Sequence, residues 1–117
     1  MSRDVAGIFA DIDGFDPDKF VSHLTPDARF RFANADAVTG RDAVKEAVGG
    51  FFSSIDGLKH HIKGSWDSGD TTIVHIDVEY LRKDGQSVTV PNADILVFEG
   101  DLVKDWQIFI DIAPVYA

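Results

Sequence analysis

The sequence predicts an α+β domain in which helices cover one face of a curved, mostly antiparallel sheet. Three observations carry that prediction. Apolar residues recur at helical spacing in the first half of the chain, whereas Ile73 to Asp111 alternates with a period of two. Asp84-Gly85 and Gly100-Asp101 interrupt the alternation, and such dipeptides mark β-hairpins. A length of 117 residues, 44% of them hydrophobic, suits one domain over residues 1–117 with a core of its own.

Val5, Ile8, Phe9 and Ile12 form a helical stripe, so residues 3–13 are expected as an amphipathic helix with Ser2 at its cap. Asp16-Pro17 opens a second helix, a capping Asp followed by Pro at the first helical position. Its buried edge is Phe20, Val21 and Leu24, and Thr25-Pro26 stops it. Residues 28–33 alternate as a short strand. Thr39-Gly40-Arg41-Asp42 reads as a capping box for a third helix with the stripe Val44, Ala47, Val48, Phe51 and Ile55, ended by Gly57. Residues 58–67 are a strand that turns near Ser68-Gly69-Asp70 into the three-stranded unit. Pro91, inside that unit, implies an edge or a bulge.

Composition excludes several classes of function. A formal charge of −9 opposes binding to nucleic acid or to an anionic membrane surface, both of which demand basic patches. The chain has no Cys, so disulfides, thiolate metal sites and cysteine nucleophiles are excluded. It shows no basic-then-apolar leader and no apolar run near 18 residues, which makes the cytoplasm the expected location. No Gly-rich phosphate loop and no G-x-S-x-G elbow is present. His75-x-Asp77-x-Glu79 offers three metal-ligand types, but its ends lie ~13.5 Å apart along a strand. No metal and no cofactor is expected.

If both turns are two-residue loops, counting outward from them fixes the register. His75 then faces Asp94 and Gln107, Asp77 faces Asn92 and Phe109, and Glu79 faces Val90 and Asp111, all on one face of the sheet. Apolar residues flank these polar rungs, as in a lined pocket. A two-residue turn after the preceding strand adds His60 to that face. Phe32 and Phe51 are expected among the rings that wall the cavity. The opposite face, with Val78, Ala93, Ile108 and Ile110, is apolar almost throughout and is expected to bury itself in a homodimer.

The run DPDKFVSHLTPDARFRFANADAVTGRDAVKEAVGGFFSSIDGLKH resembles the front half of SnoaL-like members of the nuclear-transport-factor-2-like superfamily. The closing run GDLVKDWQIFIDIAPVYA is similar to their last hairpin. The resemblance implies a cone-shaped sheet whose concave face, with three N-terminal helices, encloses a pocket, and whose convex face commonly forms a homodimer. By position it implies that Asp94 stands where ketosteroid isomerases carry a protonated Asp. It also sets Asp77 where limonene epoxide hydrolases carry a catalytic Asp, and His75 where those enzymes carry Arg. The first helix has no Tyr for an oxyanion hole, and the Asp-Arg-Asp relay lacks its Arg, so neither activity transfers.

The functional expectation is a pocket for a small apolar or carbonyl-bearing ligand. Its chemistry would be general acid–base proton transfer without a metal: isomerisation, aldol-type cyclisation or dehydration. His75 oriented by Asp94 is the expected base, with Asp77 and Asp111 as acidic or electrostatic partners. Non-catalytic binding of a hydrophobic ligand or a partner protein is the alternative.

Overall fold

The alternating second half of the chain forms the long strands of a six-stranded sheet in a computed structural model that describes residues 4–117. Helices α1 (Val5–Asp13) and α2 (Pro17–Val21) precede strand β1 (Leu24–Phe32) and the two-residue β2 (Val38–Thr39). Helix α3 (Arg41–Ser53) follows, then β3 (Gly57–Ser68), β4 (Thr71–Leu81), β5 (Ser87–Glu99), β6 (Leu102–Ile110) and the single turn α4 (Ala113–Tyr116). The sheet order is β2-β1-β6-β5-β4-β3, antiparallel throughout except where β1 runs parallel to β6. No helix among the described residues is long and apolar enough to cross a membrane.

Asp4 caps α1 by accepting the Gly7 N–H at 2.9 Å; the expected cap Ser2 lies outside the described residues. Asp16 caps α2, with Pro17 at its first position. That helix stops at Val21, because Leu24 already belongs to β1 and is fully buried there. The Arg41 guanidinium grips the Leu24 carbonyl at 2.9 and 2.5 Å. No capping box forms on α3: Thr39 lies in β2, and Gly40 caps the helix at φ +94° without a side-chain bond. The apolar stripes of α1 and α3 pack on Val74, Ile76, Val78, Leu96 and Trp106, all fully buried. Burying each such side chain contributes roughly 1.5–3 kcal/mol.

The register differs by one residue from the two-residue-loop expectation. The β4–β5 turn has three residues, Lys83-Asp84-Gly85. Gly85 N–H donates to the Arg82 carbonyl at 3.0 Å, and Arg82 N–H donates to the Gln86 carbonyl at 2.8 Å. Gly85 takes φ +84°, the left-handed position that ends a type I turn in three-residue hairpins. His75 therefore pairs with Ala93, Asp77 with Pro91, and Asp94 with Val74. The ladder runs through Pro91 without a break. Burial explains the choice. The observed register puts Val74, Ile76, Val78 and Tyr80 beneath the helices, whereas the other would have placed His75, Asp77 and Glu79 there and desolvated all three.

Two further single-residue bulges reset β6 and β3. Lys104 is extra between Phe98–Val103 and Val97–Asp105, so Asp94 faces Ile108 rather than Gln107, and Asn92 faces Ile110 rather than Phe109. Lys63 is extra between Ile62–Ile76 and Gly64–His75. Bulges of this kind bend a strand and increase its twist. The expected subunit-interface set is corrected accordingly: Val78 is fully buried and Ile108 is 9% exposed within the single chain. The outward face instead carries His75, Asp77, Ala93, Ile95, Gln107 and Phe109.

Candidate functional site: an aromatic cavity with a buried carboxylate

The helices and the inward face of the sheet enclose a cavity of about 220 Å³. Phe9 and Ile12 come from α1, Phe20 from α2, Phe30 and Phe32 from β1, and Val48, Phe51 and Phe52 from α3. The strands add Leu58, His60, Tyr80, Asn92, Asp94, Trp106 and Ile108. Ring contacts fix the wall: Phe20 stacks on Trp106 at 4.8 Å between centroids, Phe32 meets Phe51 at 4.8 Å, and Phe51 meets Tyr80 edge-on at 5.9 Å.

Asp94 is the one buried carboxylate among the described residues, at 1% exposure. Each oxygen accepts one protein N–H: Oδ2 from Trp106 Nε1 at 2.9 Å and Oδ1 from Asn92 Nδ2 at 2.7 Å. Burial pushes its pKa up from 3.8 to about 6, while the Trp106 bond, the nearby His60 and the Asn92 bond hold it from rising further. A carboxyl in that range exchanges protons readily near neutral pH. Tyr80 is raised in turn by its own burial and by the Asp94 charge, which keeps the phenol protonated.

His60 is the third titratable group on the wall, beside Asp94 and Tyr80. Its Nδ1 lies 2.6 Å from Asp13 Oδ1, and the same carboxylate accepts the His60 backbone N–H at 3.0 and 3.1 Å. With Nδ1 engaged, Nε2 is the nitrogen left for an occupant of the cavity. Phe9 packs on the ring at 4.9 Å. Asp13 was not among the expected site residues, although a signal for it was present. It lies one helical turn beyond Phe9, at the end of the buried stripe of α1.

Of the residues expected at the site, Asp94, Asn92, His60, Phe32 and Phe51 converge on this cavity. His75 and Asp77 do not: the one-residue register difference turns both outward, where Asp77 lies 3.6 Å from Lys63 Nζ. The expected His75–Asp94 dyad is therefore absent. Gln107, Phe109 and Asp111 line a separate surface groove with Arg31 and Asn34. Asp111 there accepts the Ala113 N–H at 3.1 Å and anchors the start of α4. No group of three or more His, Cys, Asp or Glu converges among the described residues to hold a metal ion.

Comparison with known proteins places this architecture. The profile of the SnoaL-like domain matches residues 5–106. The chain belongs to the SnoaL-like family. Among solved structures, the SnoaL-like fold recurs in a Catenulispora acidiphila protein with a ketosteroid isomerase-like fold, crystallised with trimethylamine. It superposes with a TM-score of 0.88 at 17% identity over 98% of this chain and 91% of that one. A Jannaschia protein named for SnoaL-like polyketide cyclases gives 0.82 at 20% identity, covering 96% and 85%. TerC, co-crystallised with polyporic acid, gives 0.84 at 13% identity, covering 96% and 92%. No functionally curated protein matches the sequence significantly. At these identities the structural likeness establishes the SnoaL-like fold; the chemistry has to be argued from the cavity.

Proposed function

We propose that this SnoaL-like protein binds a small, apolar, carbonyl-bearing compound in the aromatic cavity and moves a proton on it. The observation that carries this reading is Asp94, a fully buried carboxylate with a raised pKa on a mostly aromatic and aliphatic wall, close to a His oriented by Asp13. Ionised Asp94 takes a proton from the carbon next to the carbonyl, and the C–H electron pair moves into an enolate. Protonated His60 donates Nε2–H to the enolate oxygen, and Asp13 balances the ring charge. Where a carbon–carbon double bond is conjugated with the enolate, Asp94 then returns the proton to its far carbon, and the double bond shifts to give an isomer. Attack of the enolate on a second carbonyl, with the proton on Asp94 passing to the new alkoxide, would give cyclisation; loss of a β-hydroxyl that takes the same proton and leaves as water would give dehydration.

Simple ketones suffice for the test. Small cyclic ketones that raise the melting temperature are incubated with the protein in D2O, and α-deuteration is followed by proton NMR. Exchange above the buffer rate is expected, with a ~10²–10⁴-fold loss in Asp94→Asn. Ketones that bind without exchanging would leave only ligand binding.

Assembly belongs to the same proposal, with a second copy of the chain covering the outward sheet face. Trp66, Ile73 and Ile95 form one rung across β3, β4 and β5, and Phe109 lies beside Ala93 on the next. Trp66, Ile73 and Phe109 are 59%, 39% and 48% exposed. Such a contiguous apolar strip marks an interaction face.

A further inference from the structure

Asn92 is 7% exposed on the cavity wall, and its two amide ends are treated differently. Nδ2 donates to Asp94, whereas Oδ1 is buried and finds no donor in the protein. This orientation follows from the neighbour. An ionised carboxylate only accepts, so the amide must turn its NH₂ toward Asp94, which leaves its oxygen buried beside the cavity without a donor. A buried acceptor without a donor destabilises the structure, and an occupant that supplies an O–H or N–H removes that penalty.

Size and lining restrict that occupant further. A cavity of about 150 Å³ holds benzene, so about 220 Å³ admits one or two rings. The facing aromatic side chains suit a flat ligand. We infer that Asn92 is the specificity-determining residue of the cavity, selecting a one- or two-ring compound that presents a hydroxyl or N–H donor to Oδ1. This rests on the cavity being a ligand site, and it is independent of proton transfer.

The probes are 2-naphthol, 2-methoxynaphthalene and 2-methylnaphthalene, titrated calorimetrically at pH 8, where Asp94 is ionised. The unmutated protein should bind 2-naphthol ~10-fold or more tighter than either analogue, as expected when a buried acceptor is satisfied or left unpaired. In Asn92→Leu, similar in size but without the acceptor, the preference should fall to within about twofold. A measurement on the unmutated protein guards against a variant that fails to fold. The Asn92 side-chain amide NMR signals should shift with 2-naphthol and not with the ether. Equal binding of all three probes overturns the role of Asn92 while leaving the cavity as a ligand site. A hydroxyl preference that survives in Asn92→Leu also overturns it, because the donor would then be read by Asp94 or His60. If no probe binds, the ligand-site reading itself falls.

Discussion

His60 Nδ1 lies 2.6 Å from Asp13 Oδ1, so a charge-assisted hydrogen bond ties the end of α1 to β3 at the cavity wall. The His60 side chain is 9% exposed, and Asp13 also accepts the backbone N–H of the same residue. Asp13 thus fixes both the ring and the strand that carries it. Asp13→Asn should lower stability by roughly 1.5–3 kcal/mol in chemical denaturation. It should also slow ketone deuteration by ~10²-fold or more, since an amide neither balances an imidazolium nor fixes the tautomer. A stability loss with an unchanged deuteration rate would make the pair purely structural.

Asp94 gives the fold a pH dependence of defined sign. Its pKa is 3.8 ordinarily and about 6 in the fold, so the folded state binds the proton more tightly than the unfolded chain. The resulting stabilisation is full below 3.8 and is lost as pH rises to about 6, by about 3 kcal/mol in all. Asp94→Asn has no such titration. The difference in melting temperature, variant minus unmutated protein, should therefore increase between pH 4 and pH 7. A flat difference would mean that the carboxyl titrates normally.

The outward face should control assembly without touching the cavity. Ile73→Asp is expected to shift sedimentation toward the monomer at micromolar concentration while leaving 2-naphthol affinity within about twofold, since exposed positions tolerate substitution. Ile108→Asp, by contrast, should unfold the chain, because that side chain is buried in its core. A monomeric unmutated protein would remove the interface.

Much of the fold was legible because its helices and strands are written in different periods. The stripe Val5, Ile8, Phe9, Ile12 and the alternation after Ile73 each admit one structure. The site was less legible, because residue parity decides which side chains meet. Asp84-Gly85 signals a hairpin in either case, but whether Lys83 joins the loop depends on what the strands bury. That one residue moved His75 and Asp77 from the cavity to the surface. Lys104 and Lys63 then changed parity again, and nothing in their local sequence marks a bulge. Asp94 and Asn92 still reached the cavity because β5 kept its expected face while β4 turned over, and the extra Lys63 in β3 cancelled that turn for His60, which pairs with the inward Val78. The His60–Asp13 contact joins residues 47 apart, a separation beyond the reach of local pattern.

The chain's two tryptophans lie on opposite faces of the sheet, and this gives the protein two separate optical reporters. Trp106 is fully buried, hydrogen-bonded to Asp94 and part of the cavity wall, so its emission should lie to the blue and respond to occupancy. Trp66, with its indole over Gly64 and 59% exposed, should emit to the red and respond to whatever covers the outward face. Trp66→Phe and Trp106→Phe would assign the two bands. Ligand entry and self-association could then be followed in one unlabelled sample, each at its own wavelength.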